Sequence, residues 1–220
     1  VQDVAQERGE EYVVNAILGN LGRVGVEAVK QGGTWVQRRV ASPGAGLQTQ
    51  LARRADVDTV IQVRAGSKDD WDPRVNTGAT GRLGANTAYV LSNGHAYITD
   101  AHGRVKEVTG ALSLKRMDRN PYQQRCAGAG GCVGDEGGHL IAAALGGAGD
   151  RINLVPQAAT LNRSEWRAME NFLRKELEAG RSVGVRIDVG YPPGGGARPS
   201  EFRVVATIDG KVQPPKTFHQ

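Results

Sequence analysis

Apolar positions change their period along this chain. Over residues 7–31, Val13, Val14, Ile17, Leu18, Leu21 and Val24 fall on helix-like spacing, while Gly19, Gly22 and Gly25 weaken that helix where it is exposed. The segment reads as a packing helix or a linker in preference to a transient membrane contact. Residues 32–85 carry turn signals around short elements, at Gly32-Gly33, Ser42-Pro43-Gly44 and Ser67-Lys68-Asp69-Asp70, with a strand over Val57 to Val63. From residue 86 the period shortens to two. Thr87–Leu91 and His95–Thr99 flank Ser92-Asn93-Gly94 as a β-hairpin, and Arg104–Val108 extends it to an antiparallel meander.

A glycine-rich, charged stretch from Arg119 to His139 reads as irregular. Beyond it a helix is predicted from about Asn162 to Ala179, with Trp166, Met169, Leu173 and Leu177 on one face and Gly180 as its left-handed stop. Strands follow at Val183–Val189 and Phe202–Ile208. The fold class is α+β: a small antiparallel sheet with a helix packed beside it, preceded by a helical N-terminal segment. Residues 1–80 are expected to be a helical or linker segment and residues 81–220 the chemical domain. The start at Val1-Gln2, without Met or a signal-peptide pattern, reads as a cut from something longer.

Composition narrows the partners. The 28 Lys and Arg outnumber the 23 Asp and Glu, giving a net charge of +5 that permits an anionic partner. Hydrophobic residues at 39%, aromatics at 5% and 31 glycines describe a loop-rich fold with a modest core. No apolar run is long enough to span a membrane, and no stable membrane association is expected. Cys126 and Cys132 flank a flexible run of glycine and alanine, which admits either a local disulfide or two thiols. Zinc is disfavoured, because about four ligands are needed and only His139 lies near the cysteines.

The chemistry gathers in Gly134-Asp135-Glu136-Gly137-Gly138-His139-Leu140-Ile141-Ala142, then Asn153-Leu154-Val155-Pro156-Gln157, then Leu161-Asn162-Arg163-Ser164-Glu165-Trp166, and finally Glu170. Two glycines before His139 would let the backbone approach sharply and leave the imidazole accessible. A short strand and a loop fit between His139 and Asn162, and Glu170 lies two helical turns further on. A neutral histidine suits a general base, an asparagine oxygen suits Mg²⁺, and a nearby carboxylate suits metal-bound water. Bland readings stand beside these. Asn162 with Glu165 resembles an N-cap arrangement, which spacing alone favours, and Glu170 has the look of a solvated helix carboxylate.

Asp-x-Gly-Gly-His-Leu-Ile-Ala, Asn-x-Val-Pro-Gln and Leu-Asn-x-x-x-Trp-x-x-x-Glu, in that order, resemble the DNA/RNA non-specific endonucleases of the ββα-metal (His-Me finger) group. The double glycine is similar to nuclease domains at the C-termini of bacterial polymorphic toxins. The resemblance implies a ββα-metal core over roughly residues 118–172. It implies His139 as general base, Asn162 as the direct ligand of a hydrated Mg²⁺ or Mn²⁺, Glu170 on metal-bound water, and Asn153 as support. Asp135 joins this catalytic set, more as a brace for the histidine loop than as a reactant. Glu136-Gly137-Gly138 stands where much of the group has an arginine before the final glycine. The missing phosphate-binding charge must then come from Arg119, Arg125 or Arg151.

The implied function is metal-dependent hydrolysis of DNA, with RNA a second candidate substrate. The implied setting is a secreted antibacterial toxin acting in the cytoplasm of a target bacterium and neutralised by a cognate immunity protein. The alternative is a non-catalytic module on the same fold that binds nucleic acid or a protein partner.

Overall fold

The computed structural model describes residues 28–31, 34–37, 43–79 and 81–220. The helix expected over residues 7–31 lies outside them, except that Ala28–Gln31 (β1) forms a strand paired with Thr34–Gln37 (β2). Helix α1 (Pro43–Ala52) precedes β3 (Thr59–Val63), β4 (Thr87–Leu91), β5 (Ala96–Thr99) and β6 (Val105–Ala111). Next come α2 (Pro121–Ala129), β7 (Asp135–His139), β8 (Leu154–Ala158), α3 (Ala159–Arg163) and α4 (Glu165–Glu178). The chain ends with β9 (Val183–Gly190), β10 (Glu201–Ile208), β11 (Lys211–Val212) and β12 (Lys216–His219).

The main sheet is larger than expected. It runs β11-β10-β9-β6-β5-β4-β3, with β12 also on β10, and every pairing is antiparallel except β3 on β4. The β4–β5 hairpin closes through a three-residue loop whose left-handed residue is Gly94, at φ +87°. β4 reads Thr-Ala-Tyr-Val-Leu, buried throughout, because both faces of the sheet are covered there. Tyr89, Leu91 and Tyr97 point into the main core, while Ala88, Val90, Ala96 and Ile98 pack under Leu47 and Leu51 of α1.

Residues 43–79 are bound closely to residues 81–220. Besides β3 and α1, Val75 is fully buried in the main core and Arg54 donates to buried Glu107 at 2.9 Å. Asp150 accepts from the Gly66 N–H at 2.7 Å, and the Ile152 N–H donates to the Val75 carbonyl. These bonds strap the loop over residues 66–76 onto the turn that launches β8.

The long helix departs from its expected form. It breaks at Ser164, so Asn162 lies in short α3 and makes no cap; the side chain of Ser164 makes no capping bond to α4 either. Gly180 is the left-handed stop, at φ +79°. Trp166, Met169 and Leu173 bury one face of α4, and the Trp166 ring meets Phe202 and Phe218 with centroids 5.1 and 5.2 Å away. That aromatic trio clamps α4 to the main sheet. It thereby fixes the floor beneath β7 and β8.

Candidate active site

β7 and β8 form a separate two-stranded antiparallel ribbon in which His139 faces Leu154 and Gly137 faces Pro156. With α3 and α4 following, this is the ββα arrangement. Helix α2, absent from the sequence-based expectation, packs against β7. Pro121 at its first turn and Asn120, whose side chain accepts from the Gln123 N–H, start it. The two glycines serve this packing. A Cβ on Gly137 would stand 2.0 Å from the Gln124 carbonyl oxygen of α2, and one on Gly138 would stand 2.0 Å from Gln157 Oε1. Neither has a positive φ, so the requirement is space.

His139 is buried at 6% exposure, contrary to the accessible imidazole expected from the glycines. Its carbonyl accepts from Trp166 Nε1 at 3.2 Å. Asn153 grips the next residues: its Oδ1 accepts from the Ile141 N–H, and its Nδ2 donates to the carbonyls of Ile141 and Ala148. Nε2 of His139 has no protein partner among the described residues. Burial, and secondarily the charge of Arg119, pushes this imidazole down to about pKa 4, so it is neutral at pH 7.

An open cleft of about 610 Å³ contains Arg119, Arg125, Glu136, His139, Asn162 and Glu170 in its wall. Asn162 donates through Nδ2 to Glu136 Oε2 at 2.7 Å, leaving its amide oxygen without a partner among the described residues. Glu136 also takes the Arg163 guanidinium, and these two contacts hold its carboxyl below the usual range. Burial raises Glu170 to about pKa 7, against the opposing pull of Arg119. Glu136 was legible in sequence only as part of the Glu136-Gly137-Gly138 stretch that lacks the family's arginine; its clasp on Asn162 depends on strand–helix juxtaposition.

The remaining candidates lie elsewhere. Asp135 touches the cleft, but its carboxylate is nearly buried, paired with Arg198 at 2.6 Å and accepting from the Cys132 N–H. Asn153 is wholly enclosed behind the histidine. Arg151 is not in the cleft: its guanidinium donates to the Leu154 carbonyl and lines a different cavity. Cys126 and Cys132 are both free thiols. Among the described residues no group of three or more His, Cys, Asp or Glu side chains could hold a metal by itself.

The profile of the family described as DNA/RNA non-specific endonuclease matches residues 85–210, more than half of the chain. The chain belongs to this family. It is therefore a nuclease, a hydrolase of phosphodiester bonds. Over 138 residues the chain is 39% identical to the type VII secretion system protein EssD of Staphylococcus aureus strain USA300. The match covers 59% of this chain and 22% of EssD. EssD of strain NCTC 8325 / PS 47 matches to the same extent. The chain thus spans about a fifth of these relatives. Among solved structures, NucA from Streptococcus agalactiae with no metal bound aligns at TM-score 0.41 and 20% identity, over 61% of this chain and 69% of NucA. NucA with magnesium bound aligns at 0.41 and 19%, over 56% and 66%. Among the described residues of this endonuclease no helix is long and apolar enough to cross a membrane.

Proposed function

We propose that this endonuclease hydrolyses DNA, and RNA as a second substrate, through a divalent cation, with His139 as general base. The observation that carries this reading is the His139 ring in the wall of a cleft shared with Asn162, Glu170 and Arg119, with a ring nitrogen that has no protein partner among the described residues. The donor set fits a hydrated Mg²⁺ or Mn²⁺. Asn162 offers a free amide oxygen, whose other end Glu136 holds, and no ligand cage among the described residues competes with water. Asn162 would hold the cation directly and Glu170 would hold its water. When bound, the cation supplies charge neutralisation at the phosphate oxygens and the leaving oxygen.

The chain's own residues account for the rest. The neutral imidazole carries its proton on one ring nitrogen and offers the lone pair of the other to a water molecule. The water oxygen attacks phosphorus and gives its proton to the imidazole; the phosphorus–oxygen bond to the leaving sugar breaks, that oxygen takes a proton from solvent, and the imidazolium returns its own proton to solvent. An approaching phosphodiester stabilises the imidazolium, which raises the low pKa of His139 as the proton arrives. Arg119 and Arg125 bind the phosphate and align it; Asn153 and Asp135 keep the histidine segment in place.

The biological setting is a secreted antibacterial toxin acting in the cytoplasm of a target bacterium. Support comes from the likeness to EssD, a secretion system protein by name, and from the toxin-like double glycine. A producer then requires an immunity protein, and an acidic surface on it suits the +5 charge. The test is plasmid DNA incubated with the chain in Mg²⁺ or in EDTA, beside His139→Ala. The expected result is degradation in the parental Mg²⁺ lane alone. DNA and RNA left intact in every lane would overturn the catalytic reading and favour a non-catalytic binding module.

A further inference from the structure

The active-site cleft takes its ribbon wall from β7 alone. A second cavity, of about 130 Å³, takes its wall from Leu154, Val155 and Pro156 of β8, and is completed by the turn at His102-Gly103 and the loop around Tyr191. That volume is roughly four waters' worth, the scale of a phosphate-sized anion. Its chemistry is one-sided. Arg82, His102, Arg104 and Arg151 line it, and no Asp or Glu does among the described residues.

The three arginines and His102 are not equivalent. Arg104 is spent on the fold: it pairs with Asp100 at 2.7 Å, donates to the Gly196 carbonyl at 2.8 Å, and lies over the Tyr191 ring at 4.2 Å. Arg151 differs. Among the described residues its side chain has one acceptor, the Leu154 carbonyl, its buried Nε has no partner, and it forms no ion pair. Tyr191 beside it is neutral at pH 7 and its hydroxyl donates to the Val105 carbonyl. A guanidinium withdrawn from water without a counter-charge is costly, and an anion in the cavity removes that cost. Arg82 and His102 stand exposed at the rim with side chains free of ion pairs among the described residues.

We propose that this cavity is a phosphate-type oxyanion site, with half-buried Arg151 as the inner partner and Arg82 and His102 closing on the anion from the rim. The planar fork of Arg151, the flexible guanidinium of Arg82 and a ring N–H of His102 suit a tetrahedral oxyanion. Two sources share that chemistry: free inorganic phosphate, and a backbone phosphodiester of the nucleic acid engaged at the cleft. The second source rests on the nuclease reading; the site itself does not.

The experiment is calorimetric titration of the full chain with inorganic phosphate in EDTA. Because Arg119 and Arg125 offer phosphate contacts in the cleft, the reference is Arg119→Ala/Arg125→Ala, compared with that variant carrying Arg82→Ala/His102→Ala or Arg151→Met in addition. Saturable millimolar binding is expected in the reference. It should weaken roughly tenfold or more on adding Arg82→Ala/His102→Ala. Adding Arg151→Met should abolish it; should that chain not fold, the exposed Arg82/His102 pair carries the test alone. Absence of saturable binding in the reference overturns the proposal, and so does binding unchanged without Arg82 and His102. A fluorescent single strand, bound in EDTA, separates the sources. If a strand phosphate is the occupant, Arg82→Ala lowers affinity and reduces the salt slope by about one. If free phosphate is the occupant, strand affinity stays at the parental value. Phosphate binding by a chain that cleaves nothing would keep this site and remove only the nuclease reading.

Discussion

His95, in the main sheet, and His139, in the β7–β8 ribbon, are 1% and 6% exposed, and burial lowers both imidazoles to about pKa 4. Both regions also depend on close-packed glycine. A Cβ on Gly110 would reach 2.2 Å from the His95 ring, as one on Gly137 would reach the backbone of α2. The partners differ. His95 Nε2 donates to the Ala111 carbonyl at 3.0 Å and Nδ1 meets the Asn93 amide at 3.2 Å, which satisfies a neutral ring completely. Trp166 holds the His139 carbonyl and Asn153 holds Ile141 two residues on, while the ring Nε2 has no protein partner among the described residues. Burial and titration do not separate the two histidines; the unpartnered ring nitrogen and the place in the cleft wall do.

The sharpest way to break this comparison is to remove each ring in turn. His139→Ala should cut cleavage about 10²–10⁴-fold, as loss of a general base does, and cost about 1 kcal/mol or less in stability. His95→Ala should cost about 2–4 kcal/mol, because it leaves a cavity and strands the Ala111 carbonyl and the Asn93 amide. Its folded fraction should still cut near the parental rate. Initial rates normalised to folded protein, with urea midpoints, check both. Equal loss of activity per folded molecule in the two variants would erase the distinction.

Acid is a milder probe of the same pair. Each folded-state pKa lies near 4 against 6.5 unfolded, so the unfolded chain takes up the proton first as pH falls. Stability is therefore fully present above pH 6.5 and lost toward pH 4, by about 3 kcal/mol for each ring. Glu170 has the opposite sign. Its folded pKa of about 7 exceeds the ordinary 4.5, so the folded chain gains stability over that window as pH falls. Close to one histidine's worth of loss remains, about 2 kcal/mol between pH 7.5 and 4.5. His139→Ala should flatten the profile, since His95 and Glu170 then oppose each other. Urea unfolding at the two pH values measures this; a parental profile already flat would contradict it.

Sequence carried the parts of this fold whose signals are local. The β4–β5 hairpin was marked by alternation around Ser92-Asn93-Gly94, and the apolar stripe of Trp166, Met169 and Leu173 marked the buried face of α4. Helix α2 was hidden because its only strong cue is Asn120-Pro121, and its glycine and alanine face matters only against Gly137. The break at Ser164 was invisible in a continuous helical period. At the site, motif order collected His139, Asn162, Glu170, Arg119 and Arg125 in one cleft. It also collected Arg151, which β8 turns toward another cavity, and gave no hint that His139 is enclosed. Those outcomes are set by which strand face meets which neighbour.

The finest probe concerns how the ribbon tunes a residue outside it. Glu136, next to the glycine pair on β7, accepts from the Asn162 amide at 2.7 Å and also takes Arg163. A primary amide has one oxygen and one nitrogen end, so binding the nitrogen to Glu136 turns the oxygen away, toward whatever the cleft holds. The carboxylate also adds negative charge close to a proposed cation position. Glu136→Gln keeps the shape, drops the charge, and lets the new amide bond Asn162 in either orientation. Both effects weaken cation binding in the same direction. The expected result is a rise of roughly three- to tenfold in the Mg²⁺ concentration for half-maximal rate, the weight of about one charge-assisted hydrogen bond. The rate at saturating Mg²⁺ and the urea midpoint should hardly change, because Glu136 and Arg163 form a partly exposed pair of small structural worth. An unchanged Mg²⁺ requirement would reduce Glu136 to a tether for Arg163. It would also leave His139 as the one position where the β7–β8 ribbon acts on chemistry.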